Sequence, residues 1–152
     1  MEHPGVAEEE IDRAAAFVRR FVPAEWPDAA VRFSVATPLW LRQAVRLRGA
    51  DGELTALLTW AFLDEPLHRR FQRGEERMLD ASDWNDGLNV WLIHGCYAAP
   101  RPPAAFRRKV RELVAAFGAV HWLWDDGAHL RLCHAEHGSA RVHRTVLESA
   151  LA

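Results

Sequence analysis

Cysteine is scarce in this chain. Cys96 and Cys133 are the two in 152 residues, and neither stands in a spacing that metal-binding cysteines use. A disulfide framework is thereby excluded, and two free thiols fit a reducing compartment. Charge of one sign is also missing: 19 Lys+Arg stand against 21 Asp+Glu, a formal net charge of -2. Such a balance gives no general attraction for nucleic acid or an anionic membrane surface. No apolar run approaches the roughly 18–20 residues of a membrane span. The opening MEHPGVAEEEIDR is acidic and polar, without the basic start and apolar stretch of a secretion signal. The expectation is a cytoplasmic protein of a single domain, residues 1–152, with no stable membrane insertion, no nucleic acid partner and no internal repeat.

What the chain has in excess is tryptophan, seven in all. Such rings either fill a core or line an apolar groove, and core filling is the simpler use. Residues 6–22, VAEEEIDRAAAFVRRFV, put Ile11, Ala15, Val18 and Val22 on one side, with acids early and arginines late. That pattern predicts an amphipathic helix whose charges complement its dipole, ended by Pro23 and Pro27. AVRFSV, ahead of Thr37-Pro38, reads equally as helix or strand. Between Gln43 and Phe62, Val45 and Leu47 alternate with Arg46 and Arg48, Gly-Ala-Asp-Gly supplies a turn and a second apolar run follows. This is the pattern of a β-hairpin.

Asp64 then suits the N-cap of a short helix, EPLHRRFQRGEE. VWLIHGCYA is the strongest strand signal of the chain. Pro102 and Pro103 open a helix in which Phe106, Val110, Leu113, Val114 and Phe117 make one stripe, with Gly118 placed to close it. AVHWLW and HLRLCHAE flank Asp125-Asp126-Gly127 as a second hairpin, and residues 140–152 read as a helix. The order predicts an α/β (α+β) fold: a mixed sheet with flanking helices, its middle strand leading directly into a helix.

SDWNDGLNVWLIHGCYAAP, Ser82 to Pro100, resembles the signature of the toxin-activating lysine acyltransferases, cytoplasmic enzymes that fatty-acylate internal lysines of RTX toxins. TALLTWAFL is similar to that family's second strand, FRRKVRELVAAFG to its following helix, and AEHG near Glu136 to a His-Gly feature near its end; the similarity covers residues 32–138. The resemblance implies a GCN5-related N-acetyltransferase-like, mostly antiparallel sheet. It also implies acyl-acyl carrier protein as donor, no bound cofactor and a homodimer. YAAPRPPAA occupies the place of the glycine-rich loop that would hold the diphosphate of coenzyme A, so a coenzyme A-dependent acetyltransferase is disfavoured.

The family's catalytic pair is a histidine near the N-terminus and an aspartate on the central strand. Here Pro23 stands three residues before Trp26-Pro27, where the histidine belongs, and His94 holds the aspartate's place. Pro66-Leu67-His68-Arg69 repeats the histidine motif, but after the first hairpin, so His68 reads as a surface residue of a short helix.

Acyl transfer from a thioester to a lysine requires an amine without its extra proton, and the reference lysine pKa is about 10.4. Histidine is the side chain closest to a neutral-pH base. His94 is therefore either the base acting single-handed or a satisfied core histidine. Gly95 would permit a bulge or close approach of substrate. Cys96 lies on the same strand face as His94 and is either a nucleophile or a small core residue. Asp83 and Asp86 either orient the histidine and the acceptor ammonium or serve as ordinary turn acids.

Arg101, Arg107, Arg108, Lys109 and Arg111 form a basic stretch suited to an acidic carrier protein and its phosphopantetheine phosphate, or simply a solvated helix face. Among the late histidines, His121, His129, His134, His137 and His143, no spacing reproduces a zinc pattern. His134 and His137 would face opposite sides of a strand, so no metal is expected. Two functions follow: an acyl-carrier-dependent N-acyltransferase acting on a protein or a ribosomally made peptide, or an inactive acyl- or peptide-binding pseudoenzyme of the same fold.

Overall fold

The computed structural model describes residues 6–125, 127–139 and 141–147. Along them run α1 (Glu8–Val18), α2 (Asp28–Trp40), β1 (Ala44–Arg48), β2 (Leu54–Leu63), α3 (Glu65–Gln72), a 3-10 turn (Ala81–Asp83), β3 (Asn89–Tyr97), α4 (Ala104–Phe117), β4 (Ala119–Asp125), β5 (Leu130–Glu136) and β6 (His143–Val146). The strands belong to one six-stranded sheet in the order β1-β2-β3-β4-β5-β6. Pairing is antiparallel at β1/β2, β4/β5 and β5/β6 and parallel at β3/β4. This is the mixed, mostly antiparallel α+β architecture that the sequence predicts.

The chain divides into two compact units. One comprises the described residues up to Trp60 together with His94–Phe106, the other Ala61–Ile93 together with the described residues from Arg107 onward.

In the first unit, Glu8, Glu9 and Glu10 occupy the opening turn of α1, where the helix dipole favours them. Ile11, Ala14, Phe17 and Val18 are buried with Val31, Val35 and Leu39 of α2, Leu57 of β2 and Cys96 of β3. The helix stops at Val18 and does not reach residue 22. The reason lies in Arg19, whose guanidinium donates to the carbonyls of Pro23 at 2.5 Å and Trp26 at 2.6 Å and folds the link back.

AVRFSV is helical, and α2 runs on through Pro38. A proline has no N–H, so the carbonyl four residues earlier loses its helical donor. That carbonyl belongs to Ser34. Arg42, with a φ of 59°, then turns the chain out of the helix toward β1.

In the second unit, Asp64 caps α3 as expected, its Oδ1 accepting from the Leu67 amide at 2.9 Å. Leu67, Phe71, Leu79, Trp84 and Trp91 form the core with Ala61 and Leu63. Trp84 and Trp91 are fully buried, so part of the tryptophan excess fills the core. Gly87 is obligatory, because a Cβ there would lie 2.1 Å from the Leu63 carbonyl oxygen. Phe117, at the end of α4, rests on Phe62 with ring centroids 4.9 Å apart, and Gly118 closes the helix at a φ of +91°.

The tail departs from expectation. Where a helix was predicted over 140–152, residues 143–146 form an edge strand paired with β5. Thr145 and Val146 carry the β preference there, and residues 140 and 148–152 lie outside the described residues. Among the described residues no helix is long and apolar enough to cross a membrane.

Candidate active site

β3 carries the candidate residues, and alternation along the strand buries His94 and Cys96 while leaving Gly95 exposed between them. His94 is 4% exposed. Its amide donates to Thr59 Oγ1 at 3.0 Å, and its Nε2 lies 3.0 Å from Ser34 Oγ. Ser34 Oγ in turn donates to the Val31 carbonyl at 2.7 Å. The one hydroxyl proton can serve a single acceptor. With that proton on Val31, the imidazole presents Nε2–H to the hydroxyl.

The Ser34 backbone completes the arrangement. Burial pushes the His94 imidazole down to about 4, and a hydrogen bond to the Ser34 backbone pulls weakly upward. Pro38 strips the Ser34 carbonyl of its helical donor, so Ser34 offers the ring a hydroxyl and a backbone acceptor, and the single N–H of the neutral imidazole serves the two between them. At neutral pH His94 is uncharged, with one ring nitrogen carrying a lone pair. Ser34 and Thr59 do not stand out in the sequence. The one legible signal was Pro38, four residues after Ser34 in a segment whose helical character the sequence did not decide.

Cys96 is 5% exposed, and burial pushes its thiol up to about 12. Thiolate is therefore negligible at neutral pH, and Cys96 behaves as an apolar group of the α1/α2 core. A Cβ added at Gly95 would meet only Leu58 Cδ1, at 4.0 Å. Sterics alone do not demand glycine there.

Asp83 and Asp86 do capping and turn work. The Asp83 carboxylate accepts from the Asp80 amide at 2.8 Å in a capping box, and the Asp86 amide donates to the Phe62 carbonyl at 2.9 Å. Arg101 is exposed in the link after β3, and Arg107, Arg108 and Arg111 are exposed on α4. Lys109 pairs with Glu112 at 2.7 Å and holds that carboxyl below its usual range. His68 is not a surface residue: it is 8% exposed, and its Nδ1 accepts the Trp91 indole N–H at 2.8 Å. Burial lowers its pKa, which keeps the ring neutral and Nδ1 free to accept.

No family model matches the chain, and no curated protein is similar to it.

Proposed function

We propose that the protein moves a fatty acyl chain from acyl-acyl carrier protein to an amine, a lysine-type side chain of a protein or a ribosomally made peptide, in the cytoplasm. The observation that carries this reading is a neutral histidine in the body of a central strand, held by Ser34 and Thr59. It sits within the stretch Ser82 to Pro100, which resembles the signature of the toxin-activating lysine acyltransferases, at the place of their catalytic aspartate. The mixed sheet and the order of its elements agree with that resemblance.

In the reaction, the amine nitrogen attacks the thioester carbonyl, a C–N bond forms and the C–S bond breaks. The proton shed by nitrogen ends on the pantetheine sulfur. A conjugate acid near 4 gives His94 little proton affinity, so its part is to accept a hydrogen bond from the attacking amine and orient it. The departing thiolate is the final proton acceptor. Arg107, Arg108, Lys109 and Arg111 supply cationic groups for the acidic carrier.

The burial of His94 favours one second reading: an acyl- or peptide-binding module without turnover, in which the imidazole ties α2 to β3. Incubation with acyl-carrier donors and peptides encoded beside the gene separates the two, read as the mass of an added acyl chain. Transfer by the native protein that falls at least about tenfold in His94→Ala, the worth of one orienting hydrogen bond, supports the enzyme. Undiminished transfer by His94→Ala removes His94 from the mechanism, and binding without transfer by the native protein establishes the second reading. Arg107→Glu with Arg108→Glu should raise KM for the carrier more than it lowers kcat.

A further inference from the structure

We infer that His134, Glu136 and His143 form a binding site for a first-row divalent metal ion of the zinc type, independent of the acyl transfer reading. Strand register builds the site. His121 of β4 lies directly opposite His134 of β5, which lies directly opposite His143 of β6. Three imidazoles therefore stand in one row across three antiparallel strands. Glu136, two residues after His134, returns to the same face. The sequence pattern hid this, because His134 and His137 draw attention to a spacing of three, whereas the ligands come from positions two apart and from a neighbouring strand.

The geometry suits a metal. The Glu136 carboxylate lies 3.3 Å from His143 Nε2 and 4.0 Å from His134 Nε2, and the ligand atoms of the three residues all fall within 4.8 Å of one another. Tetrahedral zinc with bonds of about 2.0–2.2 Å needs ligand atoms roughly 3.3–3.6 Å apart. One separation already meets this, and the others close by about 1.5 Å or less through side-chain rotation. The two imidazoles are stacked, with centroids 4.6 Å apart and planes 11° from parallel. Imidazole lone pairs lie in the ring plane, so metal binding turns the rings out of this stack until both nitrogens face the ion.

Two imidazoles and one carboxylate match zinc, copper(II) or nickel(II) and are poor for magnesium or calcium, which take oxygen ligands. With His143 and Glu136 about half exposed, the remaining coordination position faces water. Two neighbours bear on the site. Ser139 Oγ lies 3.4 Å from His143 Nε2 and would yield that nitrogen to the metal. His121, whose ring centroid is 5.8 Å from that of His134, has a buried Nδ1 with no hydrogen-bond partner among the described residues.

The test is calorimetric titration of the chelator-stripped full chain with zinc chloride, with magnesium and calcium chloride in parallel. Cobalt(II) absorption serves as a spectroscopic readout. Expected are one zinc per chain, no response to magnesium or calcium, and the intense visible bands of four-coordinate cobalt. His143→Gln, on the exposed edge strand, should lower zinc affinity at least about tenfold with an unchanged metal-free circular dichroism spectrum. His137→Gln, outside the cluster, should bind as the native chain does. No zinc binding by the native protein, or affinity in His143→Gln and Glu136→Gln as high as that of the native chain, would overturn the assignment.

Discussion

Ser34 Oγ lies 3.0 Å from His94 Nε2, and Pro38, four residues after Ser34 inside α2, leaves the Ser34 carbonyl without a helical donor as a second acceptor for the same imidazole. Pro38→Ala returns an amide to that position and sets it in competition with the imidazole. The helix gains a bond and loses a misfit, so stability should stay level or rise by up to ~1 kcal/mol. The 15N shifts of the His94 ring should move with it. Unchanged ring shifts would mean that the Ser34 carbonyl plays no part.

His94 also sets an acid limit on stability. Its pKa falls from an ordinary 6.5 to about 4 on folding, because burial penalises the charged ring. Above pH about 6.5 the ring is neutral in both states and its burial costs nothing in protons. Between about 6.5 and 4 the unfolded chain takes up a proton that the folded chain refuses, so stability falls as pH falls. The loss amounts to ~3 kcal/mol at the lower end. His121, also held near 4 chiefly by burial, adds a smaller loss because water screens its more open site. Urea melts from pH 8 to 4 should show this slope, and His94→Gln should flatten it.

Two glycines close in sequence should behave oppositely. Gly87→Ala drives a methyl into the Leu63 carbonyl and should cost about 3 kcal/mol. Gly95→Ala meets only the edge of Leu58 and should change stability by less than about 0.5 kcal/mol. Under the acyl transfer reading, Gly95→Ala is informative in a second way: a stable variant with a raised KM marks close approach of substrate to that backbone.

The bond from Trp91 to His68 joins two buried side chains, with ring centroids 5.7 Å apart. His68→Leu strands the indole N–H and should cost ~2 kcal/mol. Trp91→Phe in the same background removes the stranded donor, so the double variant should be less unstable than the sum of the singles by about 1 kcal/mol. Additive losses would show that the bond contributes nothing net.

Local chemistry was legible where a residue acts on its own neighbours. The Asp64 cap, the Gly118 terminus and both hairpins follow from patterns a few residues wide. Partners distant in sequence were not. Ser34 and His94 meet across 60 positions, and nothing in either segment marks the other. His68 was misread because a histidine beside Arg69 and Arg70 on a short helix looks solvated, while its acceptor role for Trp91 depends on a strand that comes later. The edge strand near the C-terminus was hidden by helix-forming residues that follow it.

The strand order repeats the chain order, and the pairs β1/β2, β4/β5 and β5/β6 join consecutive antiparallel strands. These pairs close small loops and cost little chain entropy to form. The parallel step from β3 to β4 is different, since the chain must first complete α4 before Val90 can meet Val120. That crossover, like the link through α3 from β2 to β3, registers later than the hairpins, so variants that weaken α4 or the β4/β5 turn, both formed before it, should retard refolding and leave unfolding nearly unchanged.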